Sequence, residues 1–241
     1  MTTQHGSQAQ PGKQSRQFVR YVCYKVQPEW RRLPKAQRDS SRAEFAAVVD
    51  EMSDGMMVRS YSLAGTRGDA DLMLWEVAPR LDNIQNLAVS LSSTELGRYM
   101  DTPHSYLAMT RRSIYVEKHE HPGQEGARIK VRPAGAKYLF VYPFVKTREW
   151  YLLPKEERQQ IMDVHIGVGH KYPGVRINTS YSFGLDDQDF VVAFEGDDPG
   201  EFLDLVMDLR ETQSSKYTVR DTPIFTGVSM TIQEALASLG D

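Results

Sequence analysis

Cysteine is nearly absent: the chain has one thiol, Cys23, in 241 residues, set in the apolar run Phe18 to Val26. One thiol forms neither an intrachain disulfide nor a thiolate metal cluster, and a reducing cytoplasm is the expected compartment. Long apolar runs are missing as well. Nothing approaches the roughly 20 residues of a membrane-spanning helix. Residues 1–15 are polar and Gln-rich, without the apolar centre of a signal peptide, and are expected to form a disordered tail. Neither charge is in excess. The formal net charge is −3, which argues against general binding to nucleic acid or an anionic membrane, so an anionic ligand would have to meet local cations. There is also no Cys pair, no His-Glu-x-x-His and no EF-hand spacing, which removes the usual zinc and calcium sites.

What is present is enough apolar sequence, 40% of the chain, for one large domain or two small ones. A strand is expected over Phe18 to Val26, a helix after Leu33-Pro34, strands over Val58 to Leu63 and Asp71 to Val77, and a helix after Pro79 with a stripe of Leu81, Ile84, Ala88 and Leu91. A last strand is expected over Tyr106 to Glu117. The pattern then starts again, in residues as well as in order. Trp30-x-x-Leu33-Pro34-Lys35 recurs as Trp150-x-x-Leu153-Pro154-Lys155, Ser60-Tyr61-Ser62 as Ser180-Tyr181-Ser182, and Asp101-Thr102-Pro103 as Asp221-Thr222-Pro223, each at an offset of 120. In the second copy Asp198 and Pro199 open a helix with the stripe Phe202, Leu205, Val206 and Leu209. The expected fold is α+β: two tandem ferredoxin-like βαββαβ repeats packed as a dimeric α/β barrel within one chain. The first half spans 16–118 and the second 137–241. Between them, 119–136 is rich in Pro, Gly and charge and reads as a linker or active-site loop.

Chemistry confined to one copy shows as a difference between paired positions. His165 is such a difference, because it lies on the apolar face of its helix where the first copy has Phe45. Two readings fit it: a core histidine with hydrogen-bonded nitrogens, or a metal ligand. A lone imidazole suffices as a ligand where a porphyrin brings the other four nitrogens. Tyr142 and Lys146, four residues apart at the end of the strand before that helix, are either packing and surface residues or neighbours of the same site. Together with His165 they suit a redox cofactor better than hydrolysis. Trp150 recurs as Trp30, so its first role is structural, with a place in a cofactor pocket as a second. The other histidines, His5, His104, His119, His121 and His170, read as solvated, with His119 and His121 possible neighbours of a loop-covered pocket.

The combination Tyr142-Pro-Phe-Val-Lys146, Trp150-Tyr-Leu-Leu-Pro154, Glu156-Glu-Arg158, His165, Gly184-Leu-Asp-Asp187 and Asp197-Asp-Pro199 resembles the chlorite dismutase-like family, especially its coproheme-decarboxylating branch. The resemblance runs from about Arg16 to Gly227. It implies a homopentamer with heme or coproheme in the second half and His165 as axial iron ligand. It also implies Tyr142 as radical carrier, Lys146 beside the reactive propionates and Arg128 as a propionate-binding cation. The activity implied is peroxide-dependent decarboxylation of coproheme to heme b, using two equivalents of hydrogen peroxide. Two positions depart from the family pattern. Allowing a one-residue gap after His165, the distal polar residue is replaced by Ile177, flanked by Asn178 and by Arg176, whose side chain is expected to reach the distal pocket, and the carboxylate that supports the axial histidine in chlorite-degrading members is replaced by Ser214. Chlorite or peroxidase chemistry on the same heme, or heme binding without catalysis, are the alternatives.

Overall fold

Along Phe18–Val26 the side chains alternate between two cores, Val19, Tyr21 and Cys23 in one and Val22, Tyr24 and Val26 in the other, which makes the first element a strand, β1, apolar on both faces. The structure, a computed structural model, describes residues 16–115 and 130–240. Arg128, His119, His121, the tail 1–15 and most of the expected loop 119–136 lie outside the described residues. After β1 come α1 (Pro28–Arg31), α2 (Lys35–Met52), β2 (Met57–Ser62), β3 (Leu72–Ala78), α3 (Leu81–Ser93) and β4 (Met100–Met109). The second half follows the same order through β5 (Tyr138–Lys146), α4 (Arg148–Leu152), α5 (Lys155–Gly169), β6 (Arg176–Tyr181), β7 (Phe190–Gly196) and α6 (Pro199–Arg210). It then ends in β8 (Thr218–Arg220), β9 (Phe225–Met230) and α7 (Ile232–Ala237).

The antiparallel pairings close a ring of eight strands, β1-β3-β2-β9-β5-β7-β6-β4 and back to β1, with β8 paired to the end of β5. The halves meet at two seams, β2 with β9 and β4 with β6, the latter a single pair between Met109 and Tyr181. Inside the ring both halves fill one core: Tyr21, Cys23, Tyr61, Met73 and Trp75 meet Leu139, Val141, Val191, Ala193 and Phe225. Gly227 is needed at the first seam, since a Cβ there would lie 2.8 Å from the Cβ of Tyr61.

Outside the ring each half has its own helix-on-sheet layer, and the two are unequally filled. Among the described residues the first-half layer holds nineteen buried apolar side chains and the second-half layer six. Helix α2 buries Ser41, Phe45, Ala46 and Val49, whereas α5 buries only Ile161. Four of the nineteen come from the C-terminal segment: Ile232, Ala235 and Leu236 of α7, with Leu239 just beyond, join the first-half core by packing on α2 and β2.

Several sequence expectations need correction. The last strand of the first half is Met100–Met109, not Tyr106 to Glu117; residues 110–115 leave the sheet. Leu81 is exposed, and the stripe of α3 is Ile84, Leu87 and Leu91. The Ser-Tyr-Ser match does not superimpose: Tyr61 lies inside the ring, while Tyr181 pairs with Phe190 on the outer face. Alignment by face therefore equates Ser60 with Thr179, a slip of one residue after α5.

Candidate functional site

Strand register fixes the floor of the second-half layer. On its outer face three ranks run across β5, β7 and β6: Phe140, Phe194, Ile177; then Tyr142, Val192, Thr179; then Phe144, Phe190, Tyr181. Burial is lost at the β6 end of the first two ranks. Phe140, Phe194, Tyr142 and Val192 are buried under Phe202 and Leu205 of α6, while Ile177 is 45% exposed and Thr179 is exposed. Val168 of α5 packs on the same layer, so α5 fronts the less covered side.

His165 sits on α5 one turn after Ile161, half-buried. Its Nδ1 is sealed from solvent with no hydrogen-bond partner, and its Nε2 has none among the described residues. Burial first, and the nearby Lys146 charge second, push the imidazole down to about 4, so it is neutral near neutrality and its unprotonated nitrogen is free to bind.

Lys146 ends β5 and is itself buried. Its Nζ donates to the Ser214 carbonyl and to Ser214 Oγ, both at 2.8 Å, and lies 4.6 Å from the Trp150 ring centroid. Burial lowers this amine to about 8. Ser214 belongs to the 3-10 turn Gln213–Tyr217, which packs on α5. Lys146, Trp150 and Ser214 are thus brought together beside α5. Tyr142 is buried in the aromatic floor, stacked with Phe194 at 6.1 Å, and burial, with Asp221 adding to it, holds its phenol well above the ordinary value.

Against the repeat, the offset of 120 pairs Tyr142 with Val22, Lys146 with Val26 and His165 with Phe45, and all three partners are buried members of the first-half apolar core. The second half has therefore exchanged three core hydrocarbons for a phenol, an amine and an imidazole in a layer that is also under-filled. Burying such groups is costly unless a partner meets them.

The remaining expected residues are placed less centrally. Ile177 faces the layer, but Arg176, its neighbour along the strand, alternates to the other face beside Glu195 and is exposed. Asn178 donates to Glu195 Oε2 at 3.1 Å on that other side. His104 is not simply solvated: its Nε2 lies 2.9 Å from Asp69 Oδ2. Sequence reasoning missed Thr179, because the Ser-Tyr-Ser match concealed which residues of β6 face outward. It also missed Tyr115, whose ring lies 6.3 Å from Trp150 and whose carbonyl accepts from Gln159 Nε2 of α5.

The second half of the ring thus carries a neutral imidazole on α5, a helix that packs through Val168 on the aromatic floor of β5, β7 and β6. Comparison with known proteins supplies the family. The family model for chlorite dismutase matches residues 15–230, and the chain belongs to that family. It is 35% identical over 209 residues to the coproheme decarboxylase of Mycolicibacterium smegmatis, covering 81% of this chain and 84% of that protein. To the chlorite dismutase of Ideonella dechloratans it is 27% identical over 226 residues, 92% of this chain and 79% of the other. Among solved structures, a mutant chlorite dismutase from Candidatus Nitrospira defluvii superimposes with a TM-score of 0.85 at 26% identity, covering 94% of this chain and 96% of that one. Members of the family are heme or coproheme proteins.

Proposed function

We propose that the chain binds iron-coproporphyrin between α5 and the β5-β7-β6 floor and, with hydrogen peroxide, converts two of its propionates to vinyl groups, yielding heme b. The observation that carries this reading is the exchange of Val22, Val26 and Phe45 of one half for Tyr142, Lys146 and His165 of the other. The 35% identity to a coproheme decarboxylase supports it. We read the halves as ferredoxin-like repeats and expect a cytoplasmic homopentamer with one porphyrin per subunit.

When bound, the iron porphyrin reacting with peroxide supplies one-electron oxidising power. His165 would hold the iron, since its lowered pKa keeps the imidazole neutral near neutrality and so leaves one ring nitrogen unprotonated. Tyr142 starts as a phenol, because its raised pKa disfavours the phenolate. It gives up one electron and one proton, then regains both as a hydrogen atom from a propionate carbon. Each propionic acid group and one peroxide become a vinyl group, carbon dioxide and two waters. Lys146, and Arg128 in the segment outside the described residues, are the cations assigned to propionate carboxylates. Lys146 reaches one by exchanging Ser214 for it.

Chlorite breakdown is the second reading, favoured by the likeness to chlorite dismutases. The exposed apolar Ile177 offers an oxyanion no positive charge and speaks against it. Tyr142→Phe separates the two, since it removes only the hydroxyl. It should bind coproheme with near-unchanged affinity and release no carbon dioxide on addition of peroxide, read by mass spectrometry of the porphyrin. Decarboxylation at the wild-type rate would overturn the assignment.

A further inference from the structure

The middle rank of the floor, Tyr142, Val192 and Thr179, has its counterpart in the first half in Val22, Leu74 and Ser60. The hydroxyl of Ser60 is buried and donates to the Met230 carbonyl at 2.7 Å, in a layer closed by α7. Thr179 occupies the same place, yet it is exposed and its hydroxyl makes no hydrogen bond among the described residues. Of the neighbours that share its face, Val192 and Ile177 are apolar, and Tyr181, two residues on, carries the nearest other hydroxyl along the strand.

We propose that Thr179 is the hydrogen-bonding residue that receives hydrogen peroxide on the sheet side of a porphyrin held by His165. The proposal rests on the function proposed above and names the group that takes over at the apolar position of Ile177. A hydroxyl donates one hydrogen bond and accepts others, so it matches a small molecule that carries both O–H donors and lone pairs. Two strand spacings separate Thr179 from Tyr142, about 10 Å across the floor. That distance assigns the two polar groups to different parts of a porphyrin: the phenol to a rim propionate, the threonine to the interior. No bond is made or broken by Thr179 itself. It is a positioning residue for the oxidant.

The test is optical titration of fluoride, a small hydrogen-bond acceptor, against the ferric heme-loaded protein. Thr179→Val keeps the shape and removes the hydroxyl, and should weaken fluoride binding about tenfold, in line with the loss of one hydrogen bond to an anion. Thr179→Ser restores the hydroxyl and should stay within about twofold of wild type. Equal affinity in wild type and Thr179→Val overturns the proposal, and so does a wild-type protein that takes up no ferric porphyrin, which also removes the reading of the site. If fluoride weakens as expected while Tyr142→Phe still decarboxylates, Thr179 keeps its role and only the proposed role of Tyr142 fails.

Discussion

His165 stands where the other half has Phe45, and the exchange acts in opposite directions on stability and on ligand binding. An imidazole with an unpartnered buried Nδ1 is a cost to the folded chain, and its pKa of about 4 states that cost as a pH dependence. The unfolded chain takes up its proton near pH 6.5, the folded one only near 4. Between those values the unfolded state binds more protons, so stability falls as pH is lowered through that window and is complete above it. His165→Phe should therefore give ligand-free protein a higher melting temperature at pH 5 and a flatter profile between pH 4 and 7, while abolishing axial ligation of added ferric heme. Thermal unfolding across that range, with an absorption spectrum of the loaded variant, checks both halves of the statement. A variant as pH-sensitive as wild type would remove His165 from the account.

At the scale of elements, α2 and α5 descend from one pattern, and the difference between them is what covers each. Helix α7 covers α2, and Leu236→Ala, at a position 1% exposed, should cost about 2–5 kcal/mol in denaturant unfolding through lost contacts and a cavity. Because that cavity lies in the first-half layer, affinity for porphyrin should be unchanged; a parallel loss of binding would refute the separation of the layers. The helix was present in the sequence as the capping box Thr231-x-x-Glu234, whose reciprocal bonds the fold contains, but a six-residue helix after a strand carries too little periodicity to stand out. The repeated Trp-x-x-Leu-Pro-Lys made the paired helices legible, and with them His165 against Phe45. Strand β4 was misplaced because Asp101-Thr-Pro103 reads as a turn. Its start is an edge, paired on one side only with β1, where the missing N–H of Pro103 is tolerated. On β6 the one-residue gap after His165 put Ile177 on the right face, but the Ser-Tyr-Ser match, which keeps its motif while a slip moves every side chain to the other side, left Thr179 overlooked.

For the whole molecule, the proposed site lies in one of the two outer layers, so one porphyrin per chain is the expected stoichiometry. At a free ligand concentration a thousand times the dissociation constant, loading should add about 4 kcal/mol of apparent stability by mass action. Hydrogen exchange should show that gain as protection of α5, α6 and β6, with α2 unchanged; uniform protection would speak against a site confined to one layer. The ring also makes each half depend on the other. Residues 110–115, which follow β4, reach α5 through the Tyr115 carbonyl, and α7, which follows β9, reaches α2. Each half thus ends by crossing onto its neighbour. Made as two fragments divided between Tyr115 and Lys130, neither should show a cooperative melting transition alone, and mixing them should restore one at a temperature that rises with concentration. On that outcome the covalent link serves to fix the local concentration of two mutually dependent folding partners, turning an association of two fragments into an intramolecular event.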